Sequence, residues 1–196
     1  MARARPLRWL APGVLLGALV PLAVLCRRAL HGTLGANPIA EALNQLGLLA
    51  LIFLVAALAC TPAKTLLGWT WPLRLRRMLG LLGFAYAALH VATYVALDQG
   101  FDGAALWADV TKRRFIHVGA AAFLLLVPLA ATSTAGAVRR LGFARWKLLH
   151  RLAYLATGLA VLHFVWRVKV DLTEPVAYAL VLAGLLALRL TGRRPT

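Results

Sequence analysis

The chain has 196 residues, of which 62% are hydrophobic, and a formal net charge of +16. Its mean hydropathy of +0.79 and its recurring uncharged stretches exclude an ordinary soluble globule, so the protein is predicted to be integral to a membrane. The basic residues lie in short flanks beside apolar stretches. This pattern follows the positive-inside rule and argues against nucleic-acid binding.

Six uncharged or nearly uncharged stretches follow one another along the chain. Four are long enough to cross a bilayer, over residues 9–26, 42–63, 78–97 and 115–138. The fifth, 148–166, is interrupted only by Arg151, and the sixth, 175–188, spans only if Arg189 reaches back towards the headgroups. The sequence therefore predicts an all-α polytopic membrane bundle of six transmembrane helices, forming one domain over residues 1–196.

The segments outside the predicted spans are short. The first span follows three arginines as a secretory signal does, but nothing like a small-residue cleavage site precedes Arg27, so it is predicted to be a retained helix. The longest loop, 98–114, is predicted to contain a short helix over 104–110. It is too short for a dinucleotide-binding domain, and no glycine-rich strand–turn–helix pattern occurs elsewhere. Any dinucleotide-binding domain is therefore expected on a separate molecule.

Lysine and arginine are distributed unevenly between the two predicted sides of the membrane. One side receives 15 of them and the other receives 7 together with all six acidic residues. The positive-inside rule then predicts that both termini are cytoplasmic. Cys26 and Cys60 fall at opposite faces in this topology, which makes a disulfide between them geometrically implausible.

Three histidines, His90, His150 and His163, lie inside or at the ends of the apolar stretches. An ionisable side chain is costly in a bilayer, so each is a candidate functional residue. His90 lies 13 residues beyond Arg77 and His163 lies 16 residues beyond Lys147, so their predicted depths differ by only about 5 Å. Neutral imidazole is the usual axial ligand of b-type haem iron. We therefore predict that His90 and His163 form a pair that holds an outer haem.

The remaining histidines are predicted to have different roles. His150 lies near the cytoplasmic face, where Arg76 and Arg77 occupy the matching depth on the third span, so an inner haem there would have a weak or non-histidine second ligand. On an ideal helix the two candidate histidines of the fifth span would point about 140° apart. A hydrogen bond to a neighbouring helix is the alternative role for each candidate. His31 and His117 are predicted to be interfacial.

Several short motifs occur between about Gly35 and Arg189. They are Asn37-Pro38 with Glu41, Thr61-Pro62, Arg76-Arg77-Met78-Leu79-Gly80-Leu81, Leu89-His90, Arg140-Leu141-Gly142, Leu149-His150-Arg151-Leu152, and His163-Phe164 with Trp166. Together they resemble the MsrQ (YedZ-type) family of haem-binding membrane subunits, which is related to the transmembrane part of ferric reductases and NADPH oxidases. One departure is Lys112-Arg113-Arg114-Phe115, where the family more often has Lys-Arg-Pro-Tyr.

The resemblance implies a b-type haem protein of the bacterial inner membrane with one or two haems. It also implies electrons taken from the respiratory quinone pool, a flavin or a flavin reductase, and passed to a periplasmic molybdopterin-containing partner of the MsrP type. That partner reduces methionine sulfoxide in oxidised envelope proteins, so the catalytic site is expected on the partner. FMN is also associated with the family, but no motif in this sequence places it.

Basic residues at the predicted cytoplasmic face have two possible ligands. They could bind haem propionates or anionic lipid headgroups, and they are Arg74, Arg76, Arg77, Arg145 and Arg151. Two other functions are weighed against electron transfer. A proton or ion transporter would place carboxylates within the bilayer, yet all six acids lie in loops or at their margins. A non-catalytic membrane adaptor would explain the short loops but not the paired histidines.

Overall fold

The structure is a computed structural model that describes residues 9–191. Every regular element in that range is helical, and a π-helical turn at Tyr94–Asp98 extends the third helix. In chain order the helices are α1 (Leu10–Leu30), α2 (Pro38–Leu67), α3 (Pro72–Thr93), α4 (Gly103–Lys112), α5 (Arg114–Ala131), α6 (Ala135–Leu141), α7 (Phe143–Leu149), α8 (Leu152–Arg167) and α9 (Thr173–Thr191). The all-helical prediction is confirmed.

Five helical segments within residues 9–191 are long and apolar enough to cross a membrane. They are Leu10–Leu30, Pro38–Leu67, Pro72–Asp98, Arg114–Ala131 and Phe143–Arg167. These correspond to the first five predicted spans. The sixth predicted span is helical as α9 but is not among the five, so its passage through the membrane stays a prediction, as does the location of the termini.

Local side chains explain where α2 begins and ends. The Asn37 side chain accepts a hydrogen bond from the backbone N–H of Ala40 at 3.0 Å, and Pro38 occupies the first turn, where its missing N–H costs nothing. At the other end Gly68 takes a left-handed conformation, with φ of +69°, and its N–H returns to the Lys64 carbonyl. The result is a central helix of 30 residues.

The loop predicted over residues 98–114 contains the short helix that the sequence indicated. That helix is α4, and the Asp102 carboxylate caps it by accepting hydrogen bonds from the backbone N–H groups of Ala104 and Ala105. Asp109 on α4 accepts a hydrogen bond from the Tyr94 hydroxyl at 2.9 Å and pairs with Arg113. The loop is therefore tied to the end of the π-helical turn.

The fourth predicted span ends earlier than the sequence suggested. The uncharged stretch runs to residue 138, but α5 ends at Ala131 and α6 follows as a separate short helix. The Thr132 hydroxyl donates back to the Pro128 carbonyl at 2.6 Å and the Thr134 side chain caps α6. Local hydrogen bonds from hydroxyl side chains compete with helix continuation, which a count of apolar residues does not register.

The fifth predicted span is interrupted at His150 and Arg151. Here the backbone bonds reach back three residues instead of four, from Arg151 N–H to the Leu148 carbonyl and from Tyr154 N–H to the Arg151 carbonyl, both at 3.1 Å. Such bonds tighten the chain and change its rotation per residue. The prediction of a continuous ideal helix was wrong at this point, and the 140° estimate does not apply.

The helices pack around α2, which lies at the centre of the bundle. Its most extensive contacts are with α3, and the second most extensive helix pair is α5 with α8. Buried side chains from both pairs meet in one cluster at Leu54, Leu126 and Ala156. We call the end of the bundle where α2 and α5 finish the His150 end, and the end where α3 and α8 finish the His163 end. Cys26 is exposed, Cys60 is buried, and both are free thiols.

Candidate functional site

His90 on α3 and His163 on α8 meet in the bundle. Their ring centroids are 6.2 Å apart and the ring planes are nearly perpendicular, at 84°. Both residues are partly buried. The structure therefore brings together the two side chains that the sequence paired by depth, from two different helix pairs.

Each of these rings is held by a backbone carbonyl of the helix that precedes it in its pair. His90 Nδ1 lies 2.9 Å from the Leu43 carbonyl oxygen on α2, and His163 Nδ1 lies 2.8 Å from the Phe115 carbonyl oxygen on α5. A carbonyl oxygen can only accept, so Nδ1 carries the proton in both rings. In a neutral imidazole the lone pair then lies on Nε2, the arrangement that metal-binding histidines use.

A glycine lies against each ring. A Cβ atom on Gly47 would come within 3.2 Å of His90 Nδ1, and a Cβ atom on Gly119 would come within 2.7 Å of His163 Nδ1. Each glycine is four residues after the carbonyl that the same ring contacts. The absence of a side chain is therefore what allows each histidine to approach the neighbouring backbone closely enough to bond it.

The two arrangements form an internal repeat. The histidine follows its carbonyl partner by 47 residues in one helix pair and by 48 in the other. Three and seven residues after each glycine the chain has a buried alanine and a buried leucine: Ala50 and Leu54 on α2, and Ala122 and Leu126 on α5. The pairs α2–α3 and α5–α8 thus carry the same constellation.

The donor set fits haem better than a bare metal ion. Two imidazoles that bind one ion from opposite sides would have centroids about 6.2 Å apart, given metal–nitrogen bonds of about 2.0 Å and about 1.1 Å from ring nitrogen to centroid. The observed 6.2 Å matches this value. No cluster of three or more His, Cys, Asp or Glu side chains able to hold a metal occurs among the described residues. Two imidazoles alone leave an ion under-coordinated, whereas a porphyrin supplies the four further nitrogens.

His150 has a different environment at the opposite end. Its Nε2 lies 3.1 Å from the Thr132 hydroxyl oxygen, and its ring stacks on Trp146 with centroids 4.1 Å apart. The Trp146 indole N–H donates to the Thr132 carbonyl at 3.0 Å. Unlike the other two rings, His150 therefore uses Nε2 for its contact within the protein.

A cavity of about 840 Å³ opens beside His150, between α2, α3, α5, α8 and α9. Its volume lies in the range of cofactor and ligand sites. Three of the five arginines predicted to bind propionates or lipid line it, namely Arg76, Arg77 and Arg151, while Arg74 and Arg145 are not among its lining residues. The Arg76 guanidinium also donates to the Thr61 hydroxyl at 3.5 Å.

Several residues at these sites were not predicted from the sequence. The Arg167 guanidinium donates to the Asn44 side-chain oxygen at 2.6 Å, one helical turn beyond His163. Gly47 and Gly119 could have been found, because each is a glycine inside an apolar stretch at nearly the same distance before a candidate histidine. His31 and His117 are exposed.

The fold and the histidine pair define a class of membrane protein. Residues 42–161 match the family model described as the ferric reductase like transmembrane component. The match covers more than half of the chain, which therefore belongs to this transmembrane family.

Curated relatives identify the branch of that family. The protein-methionine-sulfoxide reductase heme-binding subunit MsrQ of Deinococcus radiodurans is 55% identical over 183 residues, covering 93% of this chain and 90% of the relative. The subunit of the same name from Rhodospirillum rubrum is 55% identical over 191 residues, with 93% and 92% covered. That from Azospira oryzae is 51% identical over 162 residues, with 82% and 70% covered. The chain belongs to the MsrQ family.

Proposed function

We propose that this chain is the haem-binding electron-transfer subunit of a protein methionine sulfoxide reductase, with a b-type haem held between His90 and His163. The observation that carries the proposal is the ring pair itself. Both Nδ1 atoms are bonded to backbone carbonyls, which leaves two Nε2 lone pairs on rings 6.2 Å apart. The names of the curated relatives support the same assignment.

The protein's own groups prepare the two rings for ligation. The Nδ1–H bonds to the Leu43 and Phe115 carbonyls fix the tautomer and orientation of each imidazole and raise the basicity of Nε2. Bound haem supplies one-electron iron chemistry. His90 and His163 would both hold the iron, which would leave it no free position for a substrate or oxygen, so the site suits electron transfer.

The distribution of charge indicates the orientation of the chain in the membrane. The positive-inside rule places the arginine-rich His150 end in the cytoplasm, with both termini, and the His163 end outside. In this inner-membrane orientation a quinol, a flavin or a flavin reductase donates the electrons. A periplasmic molybdopterin-containing subunit accepts them at the His163 end and reduces methionine sulfoxide. A role for FMN rests on family resemblance alone.

A second haem is proposed for the cavity beside His150. The volume of about 840 Å³ and the lining arginines suit a planar group that carries carboxylates. Ligation through Nε2 would require His150 to leave the Thr132 hydroxyl, which it contacts at 3.1 Å. No second histidine lines this cavity, so the other axial position would be held by a different kind of group.

Optical spectra of the purified protein test the proposal. We expect wild type to show a low-spin b-type spectrum. His90→Ala and His163→Ala should each remove the component that belongs to the haem between these two residues, and the haem content should fall with it. His117→Ala is the matched control, because His117 is an exposed histidine on α5. His150→Ala tests for a second haem, because it should remove only the spectral component of a haem bound beside His150. A wild-type protein that stays colourless after haem is supplied would refute the assignment and favour a transporter or an adaptor.

A further inference from the structure

A surface depression lined by basic residues lies at the His163 end, next to the pair of His90 and His163, and we call it the basic cup. It is a depression of about 730 Å³ that five cationic side chains and two aromatic residues line, namely Lys112, Arg113, Arg114, Arg167, Lys169, Phe115 and Trp166. The cup adjoins the ligand site, because the Phe115 carbonyl bonds His163 and the two rings are 5.7 Å apart. An anion that sits in this cup therefore lies beside His163.

Arg167 is the cationic member of the cup that lies one helical turn beyond His163 on α8. Its side chain is partly buried and reaches Asn44 on α2, the residue next to Leu43, whose carbonyl bonds His90. Its partners are neutral, the Asn44 amide oxygen at 2.6 Å and the Phe164 ring at 5.6 Å. A partly buried cation without a carboxylate is poorly compensated electrostatically.

The acidic residues nearby do not neutralise the cup. Among the described residues, ion pairs within 4 Å join Arg28 to Glu41 and Arg113 to Asp109. Arg113 is thus already paired, whereas Arg167 and the other members of the cup have no carboxylate partner in the described part of the chain. The cup therefore carries a net positive charge next to His163.

We propose that this cup binds the propionate carboxylates of the haem held by His90 and His163, with Arg167 as the principal contact. The inference rests on the proposed function, since it needs haem at that site. A carboxylate next to a guanidinium forms a charge-assisted, often bidentate bond. The bound propionates point towards the His163 end, whereas the sequence alone placed the propionate contacts among the arginines at the other end.

The geometry favours haem carboxylates over a lipid phosphate. Arg167 is bonded to Asn44 on α2 and lies one turn from His163 on α8, so its guanidinium joins the two helix pairs beside the histidine pair. A lipid headgroup would instead reach the exposed members of the cup, such as Lys169 and Arg114. The two anions therefore depend on different residues.

Reconstitution of haem-depleted protein with two haems tests the proposal. The full chain would be purified from haem-starved cells and titrated with haem b and with haem dimethyl ester, in which both carboxylates are esterified. The variants are Arg167→Gln, Arg167→Lys and, as a matched loss of charge in the same cup, Lys169→Gln. Binding is counted as the spectral component that His163→Ala removes, and its midpoint potential is measured by redox titration.

We expect Arg167→Gln to weaken haem b binding about tenfold, to lower the midpoint potential, and to have no effect on binding of the ester. Arg167→Lys should lose less affinity than Arg167→Gln, because it keeps the positive charge although not the bidentate geometry. Lys169→Gln should change the affinity much less than Arg167→Gln. Equal losses for haem b and the ester would overturn the inference, as would an Arg167→Lys variant as weak as Arg167→Gln. If the wild-type chain binds neither haem b nor its ester, the proposed function is refuted. If wild type and Arg167→Gln bind haem b with equal affinity, only the role of the cup is refuted.

Discussion

The contact between Gly119 and His163 gives the sharpest test of the ligand geometry. In Gly119→Ala the new Cβ would lie 2.7 Å from Nδ1, 2.9 Å from Cε1 and 3.2 Å from Cγ of the histidine ring. Favourable contacts between such atoms are at about 3.5–4.0 Å, so the ring has to retreat by roughly 0.8 Å. It cannot do so while Nδ1 stays 2.8 Å from the Phe115 carbonyl.

The cost can be worked from these contacts. Overpacking of this kind costs about 1–3 kcal/mol, and loss of the carbonyl hydrogen bond adds about 1 kcal/mol. A total of about 2–4 kcal/mol corresponds to a roughly 30- to 1,000-fold loss of haem affinity at this site. We expect Gly47→Ala to lose less, because its Cβ would be 3.2 Å from the His90 ring rather than 2.7 Å.

The assay is a haem titration of haem-depleted protein, followed by the low-spin absorbance band. Gly158→Ala is the matched control, because Gly158 lies on α8 with His163 and a Cβ there would meet nothing within 4 Å. Wild-type affinity in Gly119→Ala would refute the reasoning, since the ring would then tolerate the added methyl. An equal loss in Gly158→Ala would also refute it, because the effect would then belong to the helix and not to the ring contact.

Three further outcomes follow from the packing and from charge. Gly83→Ala should destabilise the α2–α3 pair by about 1–3 kcal/mol, because its Cβ would lie 2.9 Å from the Leu54 side chain; an unchanged thermal midpoint in detergent would contradict this. Thr132→Val should cost about 1 kcal/mol by removing the hydroxyl that His150 contacts, while the haem spectrum of the other two histidines stays intact; loss of that spectrum would speak against two separate sites. Asp171 precedes α9, and hydrogen bonds from the hydroxyl and the backbone amide two residues on lower its pKa. A lowered pKa means that the carboxylate contributes stability above the ordinary aspartate pKa and loses this contribution as the pH falls through the lowered pKa. Asp171→Asn should therefore make the thermal midpoint less dependent on pH between about pH 6 and about pH 3. The same pH dependence in both proteins would exclude this role.

Much of the helical framework follows from the sequence because the bilayer imposes simple rules. The five spans and the depth of His90 and His163 could be predicted, since each depends only on counting apolar residues from a basic flank. The break at His150 could not be predicted in this way. It depends on backbone bonds that shift from four residues to three, and it is accompanied by a contact between His150 and Thr132, the residue that follows α5.

The fine structure of the ligand site lay beyond the sequence for a similar reason. The spacing of Gly47 and Gly119 before the histidines is visible in the sequence, but their contact with the rings is not, because it depends on which helices pair. Arg167 looked like an ordinary basic flank, and only its bond to Asn44, 123 residues earlier, distinguishes it. Long-range side-chain contacts of this kind require the packed structure.

The internal repeat also has a consequence for the ancestry of the molecule. A single helix hairpin that presents one histidine would complete an axial pair only by associating with a second copy, so the present chain has the form that a fused gene duplication of such a hairpin would leave. Fusion frees the copies to diverge. Thirteen residues before the paired histidine, one half has Arg77 and the other has His150. A symmetric dimer could not make that distinction, because both copies would have the same residue at this position.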